Sequence, residues 1–377
     1  MIYLDNAANT PVAPEVLNAY ADTVRNYIAN PNSTHPLGMA AKERMEKEME
    51  LTASFFPYEE GKTENRVIYT SGASEANNLA IKGIAENYRY NGKHIISTCL
   101  EHSSVSGSLT YLQSKGYEID MVDIRQDGTV DLDHLQELMR KDTVLVTICA
   151  VDSELGTRQP IEQIAKIVKE YEGCYFHTDA TQAIGKTEVD YSEVDLITFT
   201  PHKFFGLNGM GALVKKSNVV LTPLIHGGAS TTNYRSGTPV LAEAVALNAA
   251  LSLQKEQSKT WESHVAELKS YLLEKLAAYP LVQINSTQCA LPYFLNMGVK
   301  GVRATAFKEA LDKREVCISI KSACSVTNNP SRSVYAITKD RKRALSSFRL
   351  SFSHMTTKEE LDAFLEQFDG CYKELTN

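Results

Sequence analysis

Strands that alternate with helices between about residues 65 and 215 predict an α/β protein with a mostly parallel sheet. Two further observations support that class. Asp179 and Lys203 fall at the carboxyl ends of short apolar runs, where open α/β sheets gather their functional groups. A length of 377 residues also exceeds what one small core organises, so about two domains are expected. The division read from the sequence is a large domain over 15–245 and a smaller α+β part built from 1–14 and 246–377.

Residues 1–10 read as a short strand and a polar, Asn-rich turn. A helix is expected over 14–25, a loop over the Pro- and Asn-rich stretch 30–38, and an amphipathic helix over 42–56. The strand at 65–69 runs into small residues, and a helix begins near 73–75. Further strands follow at 94–98 and 117–122, a turn and helix start at 127–135, and a buried-type strand at 143–151. A helix at 161–172 leads to the strand that delivers Asp179. The strand at 196–199 ends at Thr200, His202 and Lys203, followed by a glycine-rich exit. One or two long helices cover 241–279. Strands and helices then alternate irregularly at 282–285, 293–297, 304–313 and 316–320, as in an α+β unit. The stretch 346–362 is a strand and then a helix, with TTKE as its capping box.

Composition narrows the function classes. Thirty-nine basic against 46 acidic residues leave a net charge of −7, which is no footprint for direct nucleic-acid binding. No apolar run reaches the roughly 18 residues of a membrane span, and the N-terminus has no signal-peptide pattern. A cytoplasmic location is expected. The seven cysteines are odd in number and include no C-x-x-C pair, so a disulfide framework is not expected. Cys99, Cys149, Cys174 and Cys317 sit in apolar runs as buried, inert thiols do. Cys324 lies among small polar residues with Lys321 near, a setting that favours the thiolate.

A carboxylate and a lysine 24 residues apart, each at a strand end, suit one chemistry. A lysine can hold pyridoxal phosphate (PLP) as a Schiff base, and an aspartate can keep the pyridine nitrogen protonated so that the ring accepts electrons. Thr200 and His202 are candidates for its phosphate, as are Ala73 and Ser74 at a helix start. The plain alternative for Ser74 is an ordinary N-cap. Arg349, on a strand, is the candidate clamp for a substrate carboxylate; a surface strand arginine is its alternative.

These stretches together resemble the class V aminotransferases, and within them the cysteine desulfurases. The matching strings are YLDNAA near the start, TSGASE at 70–75, Glu101-His102, HTDATQAIGK at 177–186, TPHKFFGLNGMGAL at 200–213, RSGT at 235–238, SAC at 322–324, and R-x-S followed by T-x-E-E at 349–360. The resemblance implies PLP-dependent transferase fold type I: a seven-stranded-type sheet flanked by helices, a smaller α+β domain, and a homodimer. It implies that Lys203 carries the cofactor and moves the Cα proton. By the same likeness His102 stacks on the ring, Asp179 holds the ring nitrogen and Gln182 bonds the ring oxygen. Thr238 reaches the phosphate of the other subunit, Asn9 lies near the substrate, and Arg349 clamps its carboxylate. Cys324 takes sulfur from L-cysteine as a persulfide, leaving alanine, and passes it to an acceptor protein in iron–sulfur assembly, tRNA thiolation or a thiamin pathway.

The chain departs from that pattern in four places. Asp152 and Ser153 stand where the family has two asparagines, although the Ser153 hydroxyl can still bond the ring oxygen. Ser230, Thr231, Thr232 and Asn233 replace a basic pair, leaving Arg235. Lys321 takes a common glycine's place in a loop about one residue shorter than the long-loop form. The last helix is expected to end close to Asn377, with an abbreviated docking tail. The competing readings are a selenocysteine lyase or another class V aminotransferase, which needs no thiol at Cys324, and a PLP-binding partner protein without turnover.

Overall fold

The structure, a computed structural model, describes residues 1–56, 65–320 and 329–376. The chain opens with β1 (Ile2–Tyr3), α1 (Pro14–Asn26) and α2 (Pro36–Ser54). Helix α2 starts six residues before the expected 42 because Pro36 sits in its first turn, where a missing N–H is harmless. The His35 ring also accepts the Gly38 N–H at 3.2 Å and caps the helix.

There follow β2 (Asn65–Thr70), α3 (Ala73–Asn87), β3 (His94–Thr98), α4 (Ser103–Ser114), β4 (Glu118–Val122), α5 (Leu132–Leu138), β5 (Thr143–Thr147), α6 (Ile161–Lys169), β6 (Tyr175–Asp179), β7 (Leu196–Phe199) and β8 (Gly211–Lys216). The seven strands form one sheet in the order β2-β8-β7-β6-β5-β3-β4. The run β7-β6-β5-β3-β4 is parallel. Strand β8 enters antiparallel between β2 and β7, where the sequence showed only a glycine-rich exit. Every residue of β3 and β5 is buried, as in a parallel sheet covered on both faces.

Helix α7 (Leu241–Leu276) is a single 36-residue helix. Its first half packs on α1 and α2, where Asn248 bonds Thr52 at 2.7 Å and Glu48 at 2.6 Å. Beyond it come β9 (Val282–Ile284), β10 (Phe294–Val299), α8 (Ala304–Asp312), β11 (Val316–Cys317), α9 (Arg332–Thr338), α10 (Arg341–Ser346), β12 (Ser347–Ser351) and α11 (Lys358–Thr376). Strands β12, β10 and β9 form an antiparallel sheet, and β1 pairs with β11. Phe307 stacks on Phe348 at 5.2 Å, with Phe368 of α11 against it. The capping box of α11 lies one residue beyond the start of TTKE: Thr357 N–H donates to Glu360, and Glu360 N–H donates to Thr357 Oγ1. Among the described residues no helix is long and apolar enough to cross a membrane.

One glycine joins the two sheets. Gly156 has φ 77°, and its carbonyl accepts the Leu291 N–H. A Cβ there would lie 2.4 Å from Phe294 Cβ on β10. Gly156→Ala should therefore lower the unfolding free energy by more than about 1 kcal/mol, read as a lower urea midpoint at unchanged m-value; an unchanged midpoint would show that the turn relaxes freely.

Candidate active site

Adjacent parallel strands bring the two halves of the site together. In the β6–β7 pair Thr178 lies opposite Ile197 and Asp179 opposite Thr198, so the carboxylate and the Thr200–Lys203 turn leave the sheet side by side. Both face a cavity of about 340 Å³. Asp179 is 7% exposed and held from two sides: Asn77 Nδ2 donates to Oδ2 at 2.7 Å and the Thr181 N–H donates to Oδ1 at 3.0 Å. Asn77 is fully buried on the inner face of α3 and also bonds Ser104. Sequence reasoning missed it, although a polar residue among Ala76, Ala80 and Ile81 is the kind of signal that marks such a role.

Ala73 and Ser74 also line the cavity, at the start of α3. The N-cap is Gly72, and no side chain caps the helix, so its first-turn N–H groups are available to an anion. Ser74 is thus the second residue of the helix and not its cap. On the opposite wall the Thr200 hydroxyl donates to Met210 O at 2.7 Å and meets His202 Nδ1 at 2.9 Å. Burial, then the charges of Lys203 and Lys186, push the His202 imidazole down to about 4. Lys203 Nζ donates to Ala8 O at 2.5 Å. Gln182 spans the floor, its amide donating to Ala7 O at 2.9 Å while its Oε1 is buried with no hydrogen-bond partner among the described residues.

His102 caps α4, its Nδ1 accepting the Ser104 N–H at 3.2 Å. The neutral ring therefore carries its proton on Nε2, and burial lowers its proton affinity. Glu101 beside it is wholly buried, accepting the Thr98 hydroxyl and the Cys149 N–H. Burial pushes the Glu101 carboxyl up to about 8.

Arg349 of β12 reaches the cavity from the other sheet. Its Nη1 donates to Ser153 O at 2.6 Å and its Nη2 pairs with Asp5 at 2.8 Å. Its Nε is buried without a partner among the described residues. Ser153 lines the cavity. Asp152 points away from it, closing a turn by accepting the Glu154 and Leu155 N–H groups and the Ser333 hydroxyl.

Two expected residues lie elsewhere in this chain. The Asn9 side chain does not line the cavity; it donates to Thr10 O at 2.9 Å, and the carbonyls of Ala7 and Ala8 take the cavity-facing places. Thr238 lines a neighbouring hollow of about 230 Å³ that meets the cavity at Ser71. Cys324, with Lys321, lies outside the described residues.

This fold is that of a known family. The chain belongs to the class-V aminotransferases, whose profile matches residues 2–364. It is 35% identical to a NifS/IcsS protein homolog of Lactobacillus delbrueckii subsp. bulgaricus, over 99% of this chain and 97% of the relative. It is 34% identical to the cysteine desulfurase IscS of Dictyoglomus turgidum, over 99% and 95%. Among solved structures, a NifS-like protein superimposes with a TM-score of 0.90 at 31% identity, covering 99% of this chain and 100% of that one. SspA in complex with cysteine superimposes at 0.79 and 30% identity, covering 95% and 100%. The expected fold type I is the observed fold.

The Glu101 carboxyl gives a pH test. Its ordinary value is 4.5 and its folded value about 8, so the folded state keeps a proton that the unfolded chain releases. Its contribution to stability is intact below pH 4.5 and is lost as pH rises through 8. Glu101→Gln should raise Tm over the parent at pH 8 and leave it nearly unchanged at pH 4.5; equal shifts at both would exclude a buried neutral acid.

Proposed function

We propose that this chain is a PLP-dependent cysteine desulfurase, and that two copies associate as the working form. The observation that carries the reading is the convergence of Lys203, Asp179 and Arg349 on one cavity, from two different sheets. The residues fit the cofactor. Thr181 Oγ1 and Gln182 Oε1 are buried beside Asp179 without hydrogen-bond partners among the described residues, as groups awaiting a ligand are. The uncapped start of α3, with Ser74, Thr200 and His202, suits a phosphate. When bound, PLP supplies an electron sink.

Each residue has its part in that chemistry. Asp179, fixed by Asn77, would hold a proton on the ring nitrogen. Gln182 and Ser153 would serve the ring oxygen, and His102 would cover the ring. Lys203 would carry the cofactor and move the Cα proton of the substrate. Arg349, already oriented by Asp5 and the Ser153 carbonyl, offers Nε to the substrate carboxylate. Cys324, in the SAC string, takes the substrate sulfur: the Cβ–S bond of cysteine breaks, an S–S bond forms, and alanine leaves with the proton that restores its methyl group. Thr238 serves the phosphate of the other copy, and a protein thiol is the acceptor.

Incubation with L-cysteine and a reductant should release alanine and sulfide, and without the reductant the Cys324 peptide should carry one additional sulfur. Lys203→Ala should lose the Schiff-base absorbance and all turnover. Cys324→Ala should keep the absorbance and lose alanine formation by at least about 100-fold; full turnover in that variant would exclude the persulfide. Bound PLP with no alanine would point to another amino acid or to selenocysteine.

The clamp has its own test. Arg349→Lys should raise KM for cysteine by about tenfold or more, since a lysine cannot pair with Asp5 and the substrate together. An unchanged KM would place the carboxylate elsewhere.

A further inference from the structure

Lys186 is a buried cation that the reaction above does not use. It is 7% exposed, and its Nζ donates to the backbone carbonyl of Lys203 at 2.9 Å. That bond belongs to a clamp. The carbonyls of residues 202, 203 and 204 each take a donor from a different segment. Thr10 N–H and Oγ1 bond His202 O at 2.9 and 3.1 Å, Lys186 bonds Lys203 O, and Gln254 of α7 bonds Phe204 O at 3.2 Å. Thr10 Oγ1 also accepts the Phe205 N–H at 2.7 Å. The clamp holds Phe205 at φ 67°, a left-handed conformation that a bulky side chain resists. Gly185 is needed for it, since φ is 75° there and a Cβ would lie 2.3 Å from Gln254 Oε1.

A neutral donor does this work at residue 204, so the charge at residue 186 calls for a separate reason. Among the described residues, the groups acting on Lys186 from the packed elements are Lys203 and His202 on the clamped turn and Arg349 on β12, with no carboxylate among them. Glu188, Asp190 and Glu262 line the same outer groove as Lys186. Burial first, and then the two like charges, push the Lys186 amine down to about 7.

We propose that Lys186 is a positioning residue for Lys203: it fixes the Lys203 backbone and, as a like charge beside it, disfavours a second positive charge on the Lys203 side chain. A Schiff-base nitrogen on Lys203 is thereby kept readier to give up its proton than it would be alone. This inference rests on the reading that Lys203 carries PLP.

The test is a pH titration of the Schiff-base absorbance of the holoenzyme. Lys186→Gln keeps a donor for the Lys203 carbonyl and removes the charge; Lys186→Met removes both. Each should move the midpoint up by about one pH unit, because removing a positive neighbour favours the protonated form. Lys186→Arg, which keeps a cation, should leave the midpoint at or below the parent value. If Lys186→Met does not fold, the Gln and Arg pair carries the comparison. Midpoints unshifted in Lys186→Gln, with the parent band present, would overturn the role of Lys186 alone. A parent protein with no such band would overturn the cofactor reading beneath it.

Discussion

The site depends first on the parallel pairing of β6 and β7. Parallel neighbours end at the same edge of a sheet, so two segments 24 residues apart deliver their polar ends together. The antiparallel β8 then folds back beside β7, and Gly211 passes so close to Gly72 that a Cβ on it would sit 2.5 Å from the Gly72 carbonyl carbon. That approach brings the start of α3 against the turn bearing Lys203. Anion-binding N–H groups, carboxylate and lysine are therefore consequences of one strand order.

The first ten residues are the second support. Asp5 pairs with Arg349, Ala7 O accepts Gln182, Ala8 O accepts Lys203, and Thr10 holds His202 and Phe205. A bridge from Asp5 to Ser351 ties this segment to β12. The segment thereby couples the parallel sheet to the smaller antiparallel one at the point where they share the cavity. Arg349 is 2% exposed and would be costly to bury unpaired; Asp5 offsets that charge and leaves Nε for a substrate.

Much of this was legible because short strings carried both period and chemistry. The strands at 94–98 and 196–199 stood at their observed bounds, since short β-prone runs bounded by turn residues leave little choice. Helix α2 was misjudged at its start because its capping group is a histidine ring in a stretch otherwise typical of loops. Strand β8 hid behind a glycine-rich lead-in. The role of Asn9 was read from its neighbourhood in YLDNAA, but it is the backbone of Ala7 and Ala8 that faces the cavity, and carbonyl direction leaves no mark in a residue string.

By itself the sequence determined the fold class and the family, and it named Asp179, Lys203, His102, Gln182 and Arg349, which line one cavity, from local strings and the family they resemble. Only the tertiary structure decided their partners. Asn77 under Asp179, Asp5 against Arg349, and Lys186 beneath Lys203 are pairs 102, 344 and 17 residues apart. Such pairs follow from strand order and from which buried groups must satisfy one another, a condition on the packed chain as a whole.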